Sequence, residues 1–142
     1  MGKKRIAQKG GVEREVLKEV PVSAPSREMR EGRIYVFSSY NNTIMSLTDA
    51  SGNVVAQVSA GAIGFKGTKK STPFAASKVA DALFQLAQQK GIGKVEIFVK
   101  GVGAGRDSAL RSFGAKDIEI KAIRDVTPIP HNGPQPPKVR RV

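Results

Sequence analysis

The chain has 142 residues, with 24 Lys or Arg against 12 Asp or Glu, giving a formal net charge of +12 at neutral pH. Its 39% hydrophobic residues suffice for one core of ordinary domain size, so a second independent domain is not expected. Cys is absent and His131 is the only histidine, which excludes disulfide frameworks, thiolate metal sites, thiol nucleophiles and multi-histidine metal centres.

Met1-Gly2-Lys3-Lys4-Arg5 is basic like a leader peptide, but no apolar run of about 7 to 15 residues follows it. Ile6 stands where a myristoylation signal needs Ser or Thr. No stretch approaches the roughly 20 apolar residues of a membrane-crossing helix. The expectation is a cytosolic protein with no membrane role. Val12, Val16, Leu17 and Val20 could share one face of a short helix, but Gly10-Gly11 precede it and Pro21 and Pro25 stop it. Residues 1–31 therefore read as a largely extended, mixed-charge extension.

From residue 33 the pattern becomes strand-like. Arg33 to Ser39, Thr43 to Thr48 and Val54 to Ser59 are separated by Tyr40-Asn41-Asn42 and by Asp49-Ala50-Ser51-Gly52-Asn53. Both connections are rich in residues that cap their own backbone or tolerate positive φ, so a three-stranded meander is predicted. Asn41-Asn42-Thr43 formally matches a glycosylation acceptor, but reads as turn chemistry in a cytosolic chain.

Ser71-Thr72-Pro73 is a helix-start signature, a hydroxyl cap followed by Pro at the first helical position. Ala75, Ala76, Val79, Leu83, Leu86 and Ala87 then recur at three- and four-residue spacing, predicting a helix to about Lys90 with Gly91 as its C-terminal cap. Lys94 to Lys100 reads as a buried strand, Arg106 to Phe113 as a short helix and Asp117 to Arg124 as a last alternating strand. The order β-β-β-α-β-α-β predicts an α/β domain over residues 32–126, a mixed sheet packed by helices.

The charge is spread through all parts of the chain. Residues 1–32 carry 8 basic and 5 acidic side chains, residues 33–126 carry 13 and 7, and residues 127–142 carry 3 and none. Solubilising tails would place the excess at the ends alone. An excess within the folded part implies a surface that faces an anion, and a polyanion is the economical candidate.

Three stretches could meet such a partner. Gly61 to Thr72, with Lys66, Lys69 and Lys70, leads into a helix N-terminus, where unpaired N–H groups and the helix dipole favour an anion. It lacks the order of a P-loop, so a polymer backbone fits it better than a mononucleotide. Gly101-Val102-Gly103-Ala104-Gly105-Arg106 partly imitates a dinucleotide fingerprint, but its glycine spacing is wrong. It reads as a second phosphate contact, with Arg106 and Arg111 exposed on the short helix and Ser108 offering a hydrogen bond. The last stretch, residues 127–142, holds five prolines and no acid. It reads as an extended arm carrying Lys138, Arg140 and Arg141, with a turn at Asn132-Gly133.

Catalysis is not expected. Asp49 reads as a turn residue, Asp107 as a first-turn helix residue, and Glu96 and Glu119 alternate on strands, so no carboxylate pair converges. His131 in a Pro-rich tail has nothing to hold its ring as a general base. The rival from another class is a nucleotide-dependent enzyme or nuclease built on Gly101 to Arg106.

Three motifs also carry a likeness to a known family. Tyr40-Asn41-Asn42-Thr43-Ile44 with Thr48-Asp49, Gly64 to Ala76 (GFKGTKKSTPFAA) and Asp125 to Gly133 (DVTPIPHNG) resemble the universal small-subunit ribosomal protein eleven family in its bacterial form. The likeness spans roughly residues 32–142. It implies a three-layer, ribonuclease H-like domain without that enzyme's active site, and a structural constituent of the small ribosomal subunit platform. The implied partners are small-subunit ribosomal RNA, neighbouring platform proteins and messenger RNA near the exit, with no cofactor, metal or small-molecule substrate. By motif, Asn41, Asn42, Lys66, Lys69, Lys70, Ser71, Thr72, Arg106 and the tail from His131 and Asn132 to Lys138, Arg140 and Arg141 would face RNA. Val102 stands where the family usually has proline, and Pro134-Gln135 where it commonly has Cys-Arg.

Overall fold

The computed structural model describes residues 31–141. The extended reading of the N-terminal segment, with its Val12, Val16, Leu17 and Val20 face, lies outside the described residues. The elements are β1 (Glu31–Ser38), β2 (Thr43–Asp49), β3 (Val54–Ser59), α1 (Pro73–Gln89), β4 (Lys94–Lys100), α2 (Gly105–Gly114) and β5 (Glu119–Asp125), with a 3-10 turn at Gly67–Ser71 before α1. The predicted order stands. β1 starts two residues earlier than its apolar pattern suggests, because Glu31 and Gly32 pair with Lys94 and Val95 of β4.

The sheet order is β3-β2-β1-β4-β5. β1 runs antiparallel to β2 and parallel to β4, β2 antiparallel to β3, and β4 parallel to β5. The sheet is therefore mixed, as the meander followed by βαβ units requires. Both parallel connections, β1 to β4 and β4 to β5, step the same way across the sheet. Right-handed crossovers in one direction place their helices on one face. The layering is thus narrower than a ribonuclease H-like likeness implies: among the described residues both helices cover one face, and the other carries none.

The core lies between that face and the two helices. Ile34, Val36, Met45, Leu47, Val58, Val95, Ile97 and Val99 from the strands are fully or almost fully buried against Ala76, Val79, Leu83 and Phe113 from the helices. At about 25 cal/mol per Å2 of apolar area removed from water, this packing is the main source of stability. β4 reads as a buried strand but alternates instead, with Glu96 and Phe98 half-buried on the open face.

α1 shows why its sequence signals work. The Thr72 hydroxyl accepts a hydrogen bond from the Ala75 N–H, and Pro73 follows in the first turn. At the other end Gly91 adopts φ +71°. Its N–H donates to Gln88 O and that of Ile92 to Ala87 O, both at 3.1 Å, closing a Schellman motif that a side chain would strain.

Candidate nucleic-acid interface

The sheet gathers the candidate residues at one end. β1 and β4 end there at Ser38 and Lys100, β5 ends at Asp125, β2 begins at Thr43, and β3 ends at Ser59. The loops that leave these ends form one surface, with α1 and α2 starting beneath it. Ligands of open α/β sheets bind at the carboxyl ends of parallel strands for the same topological reason.

The β1–β2 hairpin is held by its own polar groups. Ser39 N–H donates to Asn42 O at 2.9 Å, Asn42 N–H to the Ser39 hydroxyl at 3.0 Å, and Thr43 N–H to Asn42 Oδ1 at 2.9 Å. Asn42 therefore spends its side-chain carbonyl inside the turn, while Asn41 is exposed at the tip.

In the β3–α1 loop Lys66 and Lys69 are exposed and Lys70 is half-buried. None has a carboxylate within ion-pair distance among the described residues. Ser71 Oγ donates to Thr68 O at 2.9 Å and Thr72 Oγ1 to Lys69 O at 2.7 Å. These two hydroxyls fold the loop into its 3-10 turn and fix where the lysines stand.

The glycine loop has a different use from the one its composition suggests. A β-carbon on Gly103 would collide with Ser39 O and Ser38 Oγ, and one on Gly105 would lie 2.8 Å from both Ala76 Cβ and Thr43 Oγ1. Gly103 N–H donates to Ser38 O at 2.9 Å. These glycines let the loop press against the hairpin, and so leave no open cradle for a nucleotide phosphate. The enzyme alternative loses its site on that ground.

Arg106 is likewise engaged within the domain. Its Nη2 lies 2.6 Å from Asp125 Oδ2, and its Nη1 donates to Gly101 O at 2.9 Å. Thr127 completes the knot: its hydroxyl donates to Asp125 Oδ1 at 2.6 Å and accepts from Gly101 N–H at 3.2 Å, while its own N–H meets Asp125 Oδ1 at 3.0 Å. The Arg106 guanidinium, then the Thr127 hydroxyl and amide, hold the Asp125 carboxyl well below the usual carboxylate range. Beyond this root, residues 128–141 are exposed, including His131, Asn132, Lys138, Arg140 and Arg141. Asn132 takes φ +55°, which suits an Asn-Gly turn.

Arg111 lies further along α2, on the rim of an open depression of about 480 Å3 that reaches the loop end, shared with Pro73, Ser77, Ala104, Asp107 and Ser108. The Ser108 hydroxyl is already bonded to Pro73 O at 2.8 Å and sits 2.7 Å from Ser77 Oγ.

Charge is segregated along the sheet. Glu31, Asp49, Glu96, Asp117 and Glu119 lie at or toward the end opposite the loops, where Glu31 meets Lys121 at 2.6 Å, Glu119 meets Lys94 at 3.6 Å and Glu96 meets Arg33 at 3.9 Å. At the loop end the carboxylates are Asp107 and Asp125, the latter neutralised by Arg106. Among the described residues, the lysines of the β3–α1 loop therefore stand on a surface whose one carboxylate without an ion pair is Asp107.

A family model described as "Ribosomal protein S11" matches residues 32–141. The chain belongs to the ribosomal protein S11 family. Two curated relatives, both named "Small ribosomal subunit protein uS11", come from two strains of Treponema pallidum, one of them strain Nichols. Each is 50% identical to this chain over 116 residues, which cover 82% of this chain and 92% of the relative. A member of the S11 family is a structural protein of the small ribosomal subunit, not an enzyme, and works in the ribosome in the cytoplasm. The resemblance seen in the three sequence motifs is thereby established.

Motif reading missed several residues that this S11 fold brings forward. Tyr35, Phe37, Phe98, Lys100 and Arg124 share the open sheet face, and Thr127 ties the arm to the domain. The available signal was strand alternation: in Arg33 to Ser39 the aromatic residues occupy the positions opposite the buried Ile34 and Val36.

Proposed function

We propose that this chain binds small-subunit ribosomal RNA through its loop end and C-terminal arm, helping to assemble and hold the platform near the messenger RNA exit, beside neighbouring platform proteins. The observation that carries the reading is the polarity of charge. Among the described residues Lys66, Lys69 and Lys70 stand without carboxylate partners on a self-bonded loop, while Glu31, Glu96 and Glu119 pair with cations toward the far end. Cations held this way neutralise phosphates without first breaking internal pairs, and each phosphate contact releases condensed counterions. The N-terminus of α1 adds its dipole in the same direction. The arm supplies Lys138, Arg140 and Arg141 on a proline-stiffened chain that loses little entropy on docking. The platform location, the exit and the neighbouring proteins are what the family resemblance implies.

Ultraviolet crosslinking of intact small subunits, followed by peptide mapping, tests this reading. Crosslinks to ribosomal RNA should fall within residues 40–42, 64–72 and 131–141. RNA crosslinks confined to the Glu31, Asp49 and Glu119 end would contradict it.

A further inference from the structure

We infer that the open face of the sheet is a second RNA surface, one that takes about two or three unpaired bases of single-stranded RNA by stacking. The inference rests on the RNA-binding reading above and adds a surface to it. Tyr35 and Phe37 lie two apart on β1, and Phe98 lies on β4, the adjacent central strand, directly across from Tyr35. The Tyr35 and Phe98 rings stack with centroids 5.1 Å apart and planes at 14°. The guanidinium carbon of Arg124 sits 5.9 Å from the Phe98 centroid and the Lys100 ammonium 5.9 Å from that of Phe37. Phe37 is 41% exposed and Tyr35 36%.

Three features favour RNA as the occupant. Two helices cover the opposite face, so the aromatics are not core residues awaiting a helix from the described fold. Aromatic rings carried on an open sheet face are also what sheet-based RNA modules offer to two or three splayed bases. The face also has the charge of an RNA site: its carboxylates Glu31, Glu96 and Glu119 are each matched by a cation, Lys121 at 2.6 Å, Arg33 at 3.9 Å and Lys94 at 3.6 Å. Lys100 and Arg124 remain with no carboxylate within ion-pair distance among the described residues, positioned for phosphates beside the stacked bases. Lys100 closes β4 at the loop end, so the two surfaces are continuous.

The test uses the chain's own fluorescence. It holds two tyrosines and no tryptophan, so Tyr40→Phe in the full chain leaves Tyr35 as the sole emitter. Titration with a 12-nucleotide oligouridylate should quench Tyr35 emission, and an RNA duplex of the same length should not. Phe37→Leu and Phe98→Leu keep apolar bulk and remove the rings, and each should weaken oligouridylate affinity on the order of tenfold with the melting profile retained. Unchanged emission on saturation, or undiminished affinity in both variants, would overturn the inference and assign the face to a protein partner. Binding of a platform transcript by Lys66→Ala/Lys69→Ala/Lys70→Ala, measured in parallel, reports on the loop end alone. Its loss without Tyr35 quenching refutes this inference while sparing the reading on which it rests.

Discussion

Arg106 and Asp125 meet at 2.6 Å across 19 residues of sequence, and the pair joins the start of α2 to the end of β5 at the point where the C-terminal arm departs. The same guanidinium reaches the Gly101 carbonyl, so a residue that reads from sequence as a phosphate contact acts first as an internal brace. A planar fork can serve both acceptors at once, which an ammonium cannot do with the same geometry.

Removing the brace should free the arm without unfolding the domain. Asp125→Asn and Thr127→Val are expected to speed amide hydrogen exchange at Gly101 and Thr127 and to lower affinity for ribosomal RNA severalfold, because the arm must then be ordered on binding. Arg106→Lys should resemble them. Exchange rates unchanged from the parent would show that the root is held by other contacts.

Acid should act on the same knot. Because the Asp125 carboxyl is held below its ordinary value of about 3.9, its contribution is complete above about pH 5 and fades as pH falls through the folded value. Glu31, lowered by Lys121, and Asp49, lowered by Asn53, add to the acid loss in the same direction. Melting temperatures of the parent and of Asp125→Asn should therefore differ at pH 6 and converge toward pH 2. A constant difference across that range would contradict the assignment.

Gly103→Ala should destabilise the domain by about 1 to 3 kcal/mol through overpacking against Ser38 and Ser39. Gly114→Ala, where an added β-carbon meets nothing within 4 Å, is the control. It should be neutral or slightly stabilising, since it falls in a helix. Thermal melts of both variants check the contrast.

Thr72 separates stability from binding. Thr72→Ala loses the cap of α1 and should cost about 1 kcal/mol. Thr72→Asp keeps a capping oxygen at the helix start, so its stability should match the parent, yet its negative charge beside Lys69 and Lys70 should weaken RNA binding. Equal affinity for Thr72→Asp and parent would place the RNA away from this helix end.

The elements themselves were readable because each was announced locally. Thr72-Pro73 opens α1, Gly91 closes it, and the alternation in β1, β2 and β3 marks their buried sides. What stayed hidden depends on residues distant in sequence. Composition makes Gly101 to Gly105 look like a phosphate cradle, and only the nearness of Ser38 shows that the glycines serve packing. Arg106 finds Asp125, and Tyr35 finds Phe98, through strand order, which no single segment encodes. The lysines of the β3–α1 loop stand out in the sequence as a candidate site because their signal, charge on a glycine-rich helix entry, is local.

The most direct test is the salt dependence of binding to a platform ribosomal RNA transcript, for the parent and for Lys66→Ala/Lys69→Ala/Lys70→Ala. With about 6 to 8 phosphates contacted, log K against log salt should fall with a slope of about −4 to −7, and the triple variant should flatten it by about 2 to 3 while its melting temperature stays near the parent's. A nearly flat slope for the parent, or the same slope for both proteins, would contradict the account.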